Sequence, residues 1–339
     1  MNKDTNKNLF DEIDIVKNIN IFNAFVTAKS KLENVNYERI MVSVSGGADS
    51  DILVDMIYRL GLTDKVNFVW FDTGLEYQAT KDHLDYLEKK YDINIEREKA
   101  IKPIPLACKE HGQPFISKQV SEYIQILQRH DFKWEDKPFE ELHKEYPGCK
   151  VALRWWCNNW NKNSNFNISR NKYLKEFMVE NPPNFKISNL CCKYAKKDVA
   201  KKYTKDNNID LSIYGVRKAE GGIRSIAYKN CFSAYDGKAD EYRMLYWITN
   251  ADKEEYEQYY NVTHSDCYTK YGFVRTGCAG CPYAKDPKLD VLKEYEPKLY
   301  NAVNHIFKDS YEYTKKYRDF VKEQKAKEKE IKNQLKINR

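Results

Sequence analysis

A strand that runs into a pair of glycines and then into a helix limits the fold of this chain more than any other feature. Residues 39–45 (RIMVSVS) form a short β-rich run, Gly46 and Gly47 follow it, and residues 49–60 have the pattern of an amphipathic helix. The alternation then continues, with strands predicted over 66–71, 93–98 and 211–216 and a helix over 77–91. Strands and helices that alternate at this spacing predict an α/β fold with a doubly wound parallel sheet.

The length of 339 residues favours two domains, or one domain with large insertions. We predict N-terminal helices over 1–36, an α/β domain over 37–235 with an insertion at 101–187, and a helical, cysteine-containing C-terminal region over 236–339. The insertion is assigned because its start is rich in proline and its middle is aromatic and irregular.

Composition excludes several classes of protein. No apolar run approaches the roughly 20 residues that span a bilayer, and the N-terminus has no apolar signal region, so we expect a cytoplasmic protein with no membrane partner. Nine cysteines in such a chain argue for metal or reactive-thiol roles rather than disulfides. The 57 basic against 50 acidic side chains give a net charge of +7, which permits a nucleotide or nucleic-acid partner.

The glycine turn has the chemistry of a phosphate loop. In Ser45-Gly46-Gly47-Ala48-Asp49-Ser50, glycines bring backbone N–H groups close to an anion, and the following helix adds its unpaired N–H groups and positive dipole end. Ser45 and Ser50 add hydroxyl donors, and Asp49 is positioned to help place Mg²⁺. The alternative is an ordinary helix cap after a Gly-Gly turn.

These residues carry a resemblance to a known family. The loop SGGADS resembles the SGGxDS signature of the PP-loop ATP-pyrophosphatase superfamily, and Asp72–Tyr77 (DTGLEY) resembles a strand end of its phosphoadenosine-phosphosulfate (PAPS) reductase branch. Arg217 and Arg224 resemble that branch's G-x-R…R element. The resemblance implies an adenine-nucleotide alpha hydrolase-like fold, with Asp49, Arg217 and Arg224 as catalytic residues. It also implies a nucleotide site made by Ser45, Gly46, Gly47, Asp49, Ser50, Asp72, Thr73, Gly74 and Glu76.

The cysteine pattern is the second strong signal. A C-x-x-C turn brings two thiolates to one metal or cluster, and a second pair supplies further ligands. Cys191-Cys192 with Cys278-x-x-Cys281 is similar to the ligand set of iron–sulfur sulfonucleotide reductases, which implies a [4Fe-4S] cluster. Zn²⁺ and no metal are the alternatives, and Cys267 is a reserve ligand. The remaining thiols, Cys108, Cys149, Cys157 and Cys231, are interpreted as ordinary buried side chains.

Two departures from the reductase pattern shape the functional hypothesis. No cysteine follows Cys281, and the loop has the full ATP-type sequence. We therefore expect Mg·ATP as substrate, release of pyrophosphate and an adenylated acceptor for sulfur transfer, with a cysteine desulfurase or thioredoxin as candidate sulfur donor. The alternatives are a reductase acting on PAPS or adenosine phosphosulfate (APS) and a non-catalytic binding module.

The insertion suggests what the acceptor is. Trp155, Trp156 and Trp160 beside Arg154 mix stacking groups with a basic group, as single-strand nucleic-acid binders do. This pattern makes DNA or tRNA the candidate acceptor, while a small aromatic core is the alternative interpretation.

Overall fold

The computed structural model describes residues 18–34, 36–221 and 227–337, and its centre is a mostly parallel sheet. The strands follow the order β3-β2-β1-β4-β6-β5, and β5 alone pairs antiparallel among the described strands. They are β1 (Ile40–Ser43), β2 (Val66–Asp72), β3 (Ile95–Lys99), β4 (Leu211–Tyr214), β5 (Phe232–Ser233) and β6 (Asp240–Tyr242). The chain leaves β1 towards β2 on one side and returns as β4 on the other, which confirms the predicted doubly wound sheet.

Helices cover most of the remaining described chain. Before β4 they are α1 (Ile19–Asn34), α2 (Ala48–Arg59), α3 (Gln78–Tyr91), α4 (Ile104–His111), α5 (Lys118–Arg129), α6 (Phe139–Glu145), α7 (Lys150–Trp156), α8 (Leu174–Glu180), α9 (Leu190–Cys192) and α10 (Asp198–Asp206). After it come α11 (Asn250–Tyr260), α12 (Asp266–Thr269), α13 (Leu289–Tyr295), α14 (Pro297–Ile306) and α15 (Lys308–Ile337). Within residues 18–34, 36–221 and 227–337, none of these helices is both long and apolar enough to cross a membrane.

The central strands are buried on both faces, because successive side chains of a strand point to opposite sides. Ile40 and Val42 of β1 join a core that includes residues of α1, α2 and α3. Met41, between them, packs with Val69 and with Tyr203 of α10 on the other face. This two-sided burial is why β1 and β2 are continuous apolar runs rather than alternating ones.

The chain divides into two compact units, each made of two stretches. The first contains Met1–Ile101 and Ala195–Cys278, and the second contains Lys102–Tyr194 and Ala279–Arg339. The sheet lies in the first unit. The predicted C-terminal region, 236–339, is divided at residue 278, because its helices α13–α15 belong with the stretch that includes the insertion.

The second unit has an aromatic core of its own. Trp155 and Trp156 of α7 are 1% and 0% exposed, and Trp156 donates a hydrogen bond to the carbonyl oxygen of Glu135 at 2.8 Å. Tyr313 of α15 packs on Phe115 and on Phe177 in the same core. The alternative of an aromatic core is therefore confirmed for the two neighbouring tryptophans, which have no exposed face on which a base could stack.

The structure changes one helical prediction and describes part of another. The sequence pattern predicts one helix over 190–204, but a π-helical turn at Lys193–Lys197 separates α9 from α10. Of the predicted N-terminal helices, α1 is observed, while residues 1–17 and Val35 lie outside the described residues.

Candidate functional site

The phosphate loop follows β1, at the carboxyl edge of the sheet. The Ser50 hydroxyl accepts a hydrogen bond from the Gly47 N–H at 3.1 Å and donates to the Gly47 carbonyl oxygen at 2.7 Å. It also lies 3.2 Å from the Ser45 hydroxyl and 3.3 Å from the Ser45 N–H. Ser50 is 4% exposed, so this side chain holds the loop closed from inside. The loop is thus preorganised before any ligand arrives.

Both glycines of the loop are required by its geometry. Gly46 has φ +65°, a left-handed conformation that costs side chains strain, and a Cβ there would lie 2.7 Å from Thr80 Cγ2. A Cβ on Gly47 would lie 3.2 Å from the Ser45 hydroxyl oxygen. A side chain at either position would therefore crowd the loop.

Asp49, at the start of α2, is shared by two cations. Its Oδ1 accepts from Arg217 Nε at 2.9 Å and lies 3.2 Å from Lys253 Nζ. Arg217 is 6% exposed, and its Nη1 also donates to Asn250 Oδ1 at 3.0 Å. The resemblance assigns Arg217 to a phosphate or sulfate, whereas here its guanidinium is engaged with the loop's own aspartate. Arg224, the second predicted arginine, lies outside the described residues.

The end of β2 forms a tight turn beside the loop. Asp72 accepts from the Gly74 N–H at 2.8 Å, and the Thr73 hydroxyl donates to Glu76 at 2.5 Å. Burial raises the pKa of Glu76, while the charge of Lys196 and the hydrogen bond from Thr73 oppose this rise. The predicted residues 72–76 are thus brought together at one edge of the sheet, where parallel α/β folds bind ligands.

A buried charge network supports the loop from behind, and the sequence reasoning missed it. Asp51 is fully buried, and its carboxylate lies 2.7 Å from His264 Nδ1 and 3.0 Å from His83 Nε2. The other ring nitrogen of His264 lies 2.8 Å from Glu257, which also faces Lys253 at 3.4 Å. Burial lowers the pKa of His264, but the hydrogen bonds to the two carboxylates outweigh it and raise that pKa to about 9.

The network has only a weak signature in the sequence. Asp51 follows the SGGADS signature directly, and Lys253 and Glu257 are spaced to pair on one helix face. His264, in contrast, approaches Asp51 from 213 residues away along the chain. A single sequence gives no sign of that contact.

Three of the predicted cysteine ligands lie in the second unit. There Cys191 is 3% exposed and Cys108 is 5% exposed. The hydrogen bond that Cys191 shares with the Cys108 side chain raises the pKa of Cys191, the neighbouring Cys192 opposes this rise, and burial and the charge of Cys281 reinforce it. Cys108 is buried, in agreement with its interpretation as an ordinary buried thiol, and it also contacts a predicted ligand.

The other cysteines of interest lie in the first unit. Cys278 Sγ is 3.8 Å from the Thr73 hydroxyl, and the reserve ligand Cys267 is fully buried with its Sγ 3.7 Å from the Thr80 hydroxyl. Across the described parts of the chain, no three or more His, Cys, Asp or Glu side chains are arranged to hold a metal ion. The donor chemistry itself suits a cluster, because soft thiolates select iron–sulfur clusters or zinc.

Comparisons with known proteins agree with the motifs. A family model described as the phosphoadenosine phosphosulfate reductase domain matches residues 39–128, which include the phosphate loop and the end of β2. The uncharacterized proteins MJ0973 and MJ0066 of Methanocaldococcus jannaschii are each 24% identical to the chain, over 81% and 85% of its length. The chain spans about half the length of these relatives, 49% and 45%.

Solved structures show low similarity over most of the chain. PAPS reductase from Candida auris, in a phosphate complex, has a TM-score of 0.41 and 12% identity, covering 76% of this chain and 93% of that one. The U34-tRNA thiolase NcsA from Methanococcus maripaludis, with its [4Fe-4S] cluster, has a TM-score of 0.37 and 10% identity, covering 89% and 80%. The family match confirms the predicted resemblance to the PAPS reductase domain for residues 39–128, the stretch that includes the phosphate loop and the end of β2.

Proposed function

We propose that this protein is an ATP pyrophosphatase that adenylates an acceptor for sulfur transfer. The observation that carries the proposal is the closed phosphate loop of ATP-type sequence, which begins α2 at the point where the sheet reverses its strand order. Asp49 at this helix start, with Arg217 and Lys253 on its Oδ1, supplies the charged groups that nucleotide chemistry needs.

The reaction we propose is a substitution at the α-phosphorus of ATP. An acceptor oxygen forms a bond to that phosphorus, the bond to the oxygen bridging the α- and β-phosphorus breaks, and pyrophosphate leaves with the electron pair. Charge builds up on the leaving group, so catalysis is mostly electrostatic, through the loop N–H groups and the helix dipole. Removing one such fixed donor typically costs on the order of 3 kcal/mol, or about 100-fold in rate.

Asp49 is the residue we assign to Mg²⁺. Both cations contact Oδ1, and a carboxylate offers about four lone-pair sites on its two oxygens, so Asp49 would have the capacity to bind a metal as well. Mg²⁺ in proteins is commonly held by one or two carboxylates together with substrate phosphates. When bound, it would supply positive charge to the phosphates.

We further propose that the cysteines hold a [4Fe-4S] cluster. Cys191 and Cys192 are adjacent in the second unit and the charge of Cys281 acts on Cys191, while Cys278 belongs to the same C-x-x-C turn as Cys281. The thiolates that hold a [4Fe-4S] cluster bind different iron atoms, so the ligand side chains need not converge on one ion. It would supply a structural centre or a site for sulfur delivery, with a cysteine desulfurase or thioredoxin as the source.

For the acceptor we propose a nucleic acid, DNA or tRNA. The net charge of +7 supports this proposal, whereas burial of Trp155 and Trp156 removes two of the stacking groups that first suggested it. Binding that weakens steeply with salt would support a nucleic acid, and no binding at low salt would exclude it.

One observation favours a second candidate function, the reduction of PAPS or APS. The family model that matches residues 39–128 is named for that activity. A paired assay separates the two functions: pyrophosphate release from Mg·ATP with tRNA or DNA present, and sulfite release from PAPS with thioredoxin, both on anaerobically purified protein. Sulfite without pyrophosphate would replace our proposal by the reductase.

A variant of the proposed site tests the role of Asp49. Asp49→Asn removes the charge that faces Arg217 and Lys253, and we expect pyrophosphate release to fall by about 100-fold. Asp82→Asn is the matched control, because Asp82 is exposed on α3 and hydrogen-bonds Gln78. Equal loss in both variants, or none in either, would contradict the assigned role.

The cluster is tested separately from activity. Iron and sulfide content and absorption at about 400 nm should be lost in Cys191→Ser and retained in the control Cys231→Ser. Retention in both variants would exclude Cys191 as a ligand, and bound zinc without iron would favour the zinc alternative.

A further inference from the structure

A segment far along the chain contacts the phosphate loop. The Tyr268 hydroxyl accepts a hydrogen bond from the Ala48 N–H at 3.1 Å, although the two residues are 220 positions apart. A Cβ on Gly47 would lie 3.2 Å from this hydroxyl oxygen and 3.2 Å from Thr276 Oγ1. Both hydroxyls therefore lie beside Gly47 of the loop, and both belong to residues outside the family match at 39–128.

The Ala48 N–H belongs to the first residue of α2. The first N–H groups of a helix have no partner within the helix and are the ones that an anion binds. In this protein that N–H points to a hydroxyl instead. Any phosphate bound at the loop must therefore either displace Tyr268 or bind with Tyr268 as a neighbour.

The Tyr268 ring is held in place, which favours the second arrangement. His264, whose two ring nitrogens contact Asp51 and Glu257, lies against this ring with centroids 5.8 Å apart. The Ser265 side chain accepts from the Cys267 N–H at 3.2 Å and caps α12, which carries Tyr268. A hydroxyl anchored in this way is part of the wall of the site.

The hydroxyl also retains a proton that it can donate. Burial raises the pKa of Tyr268, so the phenol is neutral at physiological pH. Its oxygen accepts from Ala48, and Thr276 Oγ1, 3.1 Å away, can act as donor or acceptor towards it. When Thr276 donates to the Tyr268 hydroxyl, the Tyr268 proton is not used in that hydrogen bond. An oxygen of a phosphate bound at the loop would then accept it.

We infer that Tyr268 is a phosphate-binding residue at the loop. Its hydroxyl accepts a hydrogen bond from the Ala48 N–H and donates one to a nucleotide phosphate oxygen. Thr276 orients that hydroxyl. The inference rests on the proposed function, because it requires that the loop bind a nucleotide. A hydrogen bond donated to a charged group is about twice as strong as one between neutral groups.

Binding measurements on three proteins test the inference. Mg·ATP and inorganic pyrophosphate with Mg²⁺ are titrated calorimetrically into the wild type, Tyr268→Phe and Tyr259→Phe, a control whose ring is 52% exposed on α11. We expect Tyr268→Phe to weaken both ligands by about tenfold or more, and Tyr259→Phe to change neither. Thr276→Val should weaken both ligands by a smaller factor.

The possible results distinguish failure of this inference from failure of the proposed function. Wild-type protein that binds neither ligand would overturn the proposed function and the inference together. Unchanged or tighter binding by a Tyr268→Phe protein that melts like the wild type would overturn the inference alone, since the hydroxyl would then be neutral or a competitor for the N–H. Weaker ATP binding with unchanged pyrophosphate binding would also overturn it, because the hydroxyl would then contact the nucleoside.

Discussion

Replacing His264 by glutamine should weaken the first unit in a pH-dependent way. His264→Gln keeps a hydrogen-bonding side chain but removes the positive charge from between Asp51 and Glu257. Asp51 is fully buried, and its other carboxylate oxygen lies 3.0 Å from His83 Nε2. Leaving a buried carboxylate without a cation is costly, since removing one partner of a buried pair typically costs about 3–5 kcal/mol.

The pH dependence follows from the pKa of His264. Burial lowers that pKa and the two carboxylates raise it, with a result of about 9 in the folded protein, against about 6.5 in an unfolded chain. Because the folded value is the higher one, the stabilisation is complete below pH 6.5 and is lost as pH rises through 9. This difference in pKa corresponds to a contribution to stability of at most about 3.4 kcal/mol. Because the ring is partly exposed, solvent screening reduces the expected contribution to on the order of 2 kcal/mol.

Urea unfolding at pH 6.5, 8 and 9.5 measures the effect. The difference in unfolding free energy between wild type and His264→Gln should shrink by about 2 kcal/mol across this range. The other titrating groups contribute to both proteins, so their effects largely cancel in the difference. His305→Gln, at an exposed position of α14, is the control and should show no trend. A difference that stays constant or grows with pH would refute the assignment of a charged His264.

Three further substitutions test packing, each by urea unfolding at neutral pH. Gly46→Ala should lower the free energy of unfolding by about 1–3 kcal/mol, because φ is +65° and the new Cβ would meet Thr80. An unchanged free energy of unfolding would mean that the loop relaxes around the new side chain. Tyr256→Phe should cost about 1.5–3 kcal/mol, since its hydroxyl donates to the buried Asp55 carboxylate at 2.6 Å. Trp156→Ala should cost about 3–5 kcal/mol by leaving a cavity in the second unit, and a smaller loss would contradict its full burial.

Local sequence patterns were sufficient for the first four strands of the sheet. The runs at 39–45 and 66–71 consist mainly of apolar residues, and the strands found there are Ile40–Ser43 and Val66–Asp72. The helix between them was predicted over 49–60 and is observed over Ala48–Arg59. Such elements are predictable because a strand buried on both faces and an amphipathic helix each need a characteristic spacing of apolar residues.

Side-chain partners were not predictable in the same way. The motif gives Arg217 as a phosphate-binding type of residue, but its type does not reveal that Asp49 and Asn250 engage its guanidinium. Tyr268 and His264 reach the loop from more than 200 residues away, and no local pattern encodes a contact at that separation. The same limit applies to Cys108, which looked isolated in the sequence and meets Cys191 through the packing of α4 against α9.

The place of β1 in the sheet has a consequence for synthesis of the protein. One edge of β1 pairs with β2 soon after it is made, but the other pairs with β4, where Ser43 lies opposite Tyr214. Roughly 170 residues separate these partners, which a ribosome adds in about 10–30 s. During that interval the central strand of the nascent chain exposes a row of unpaired N–H and C=O groups, the kind of edge that recruits other chains. The yield of native protein should therefore depend on chaperone supply and on expression temperature more than on the stability of the finished fold.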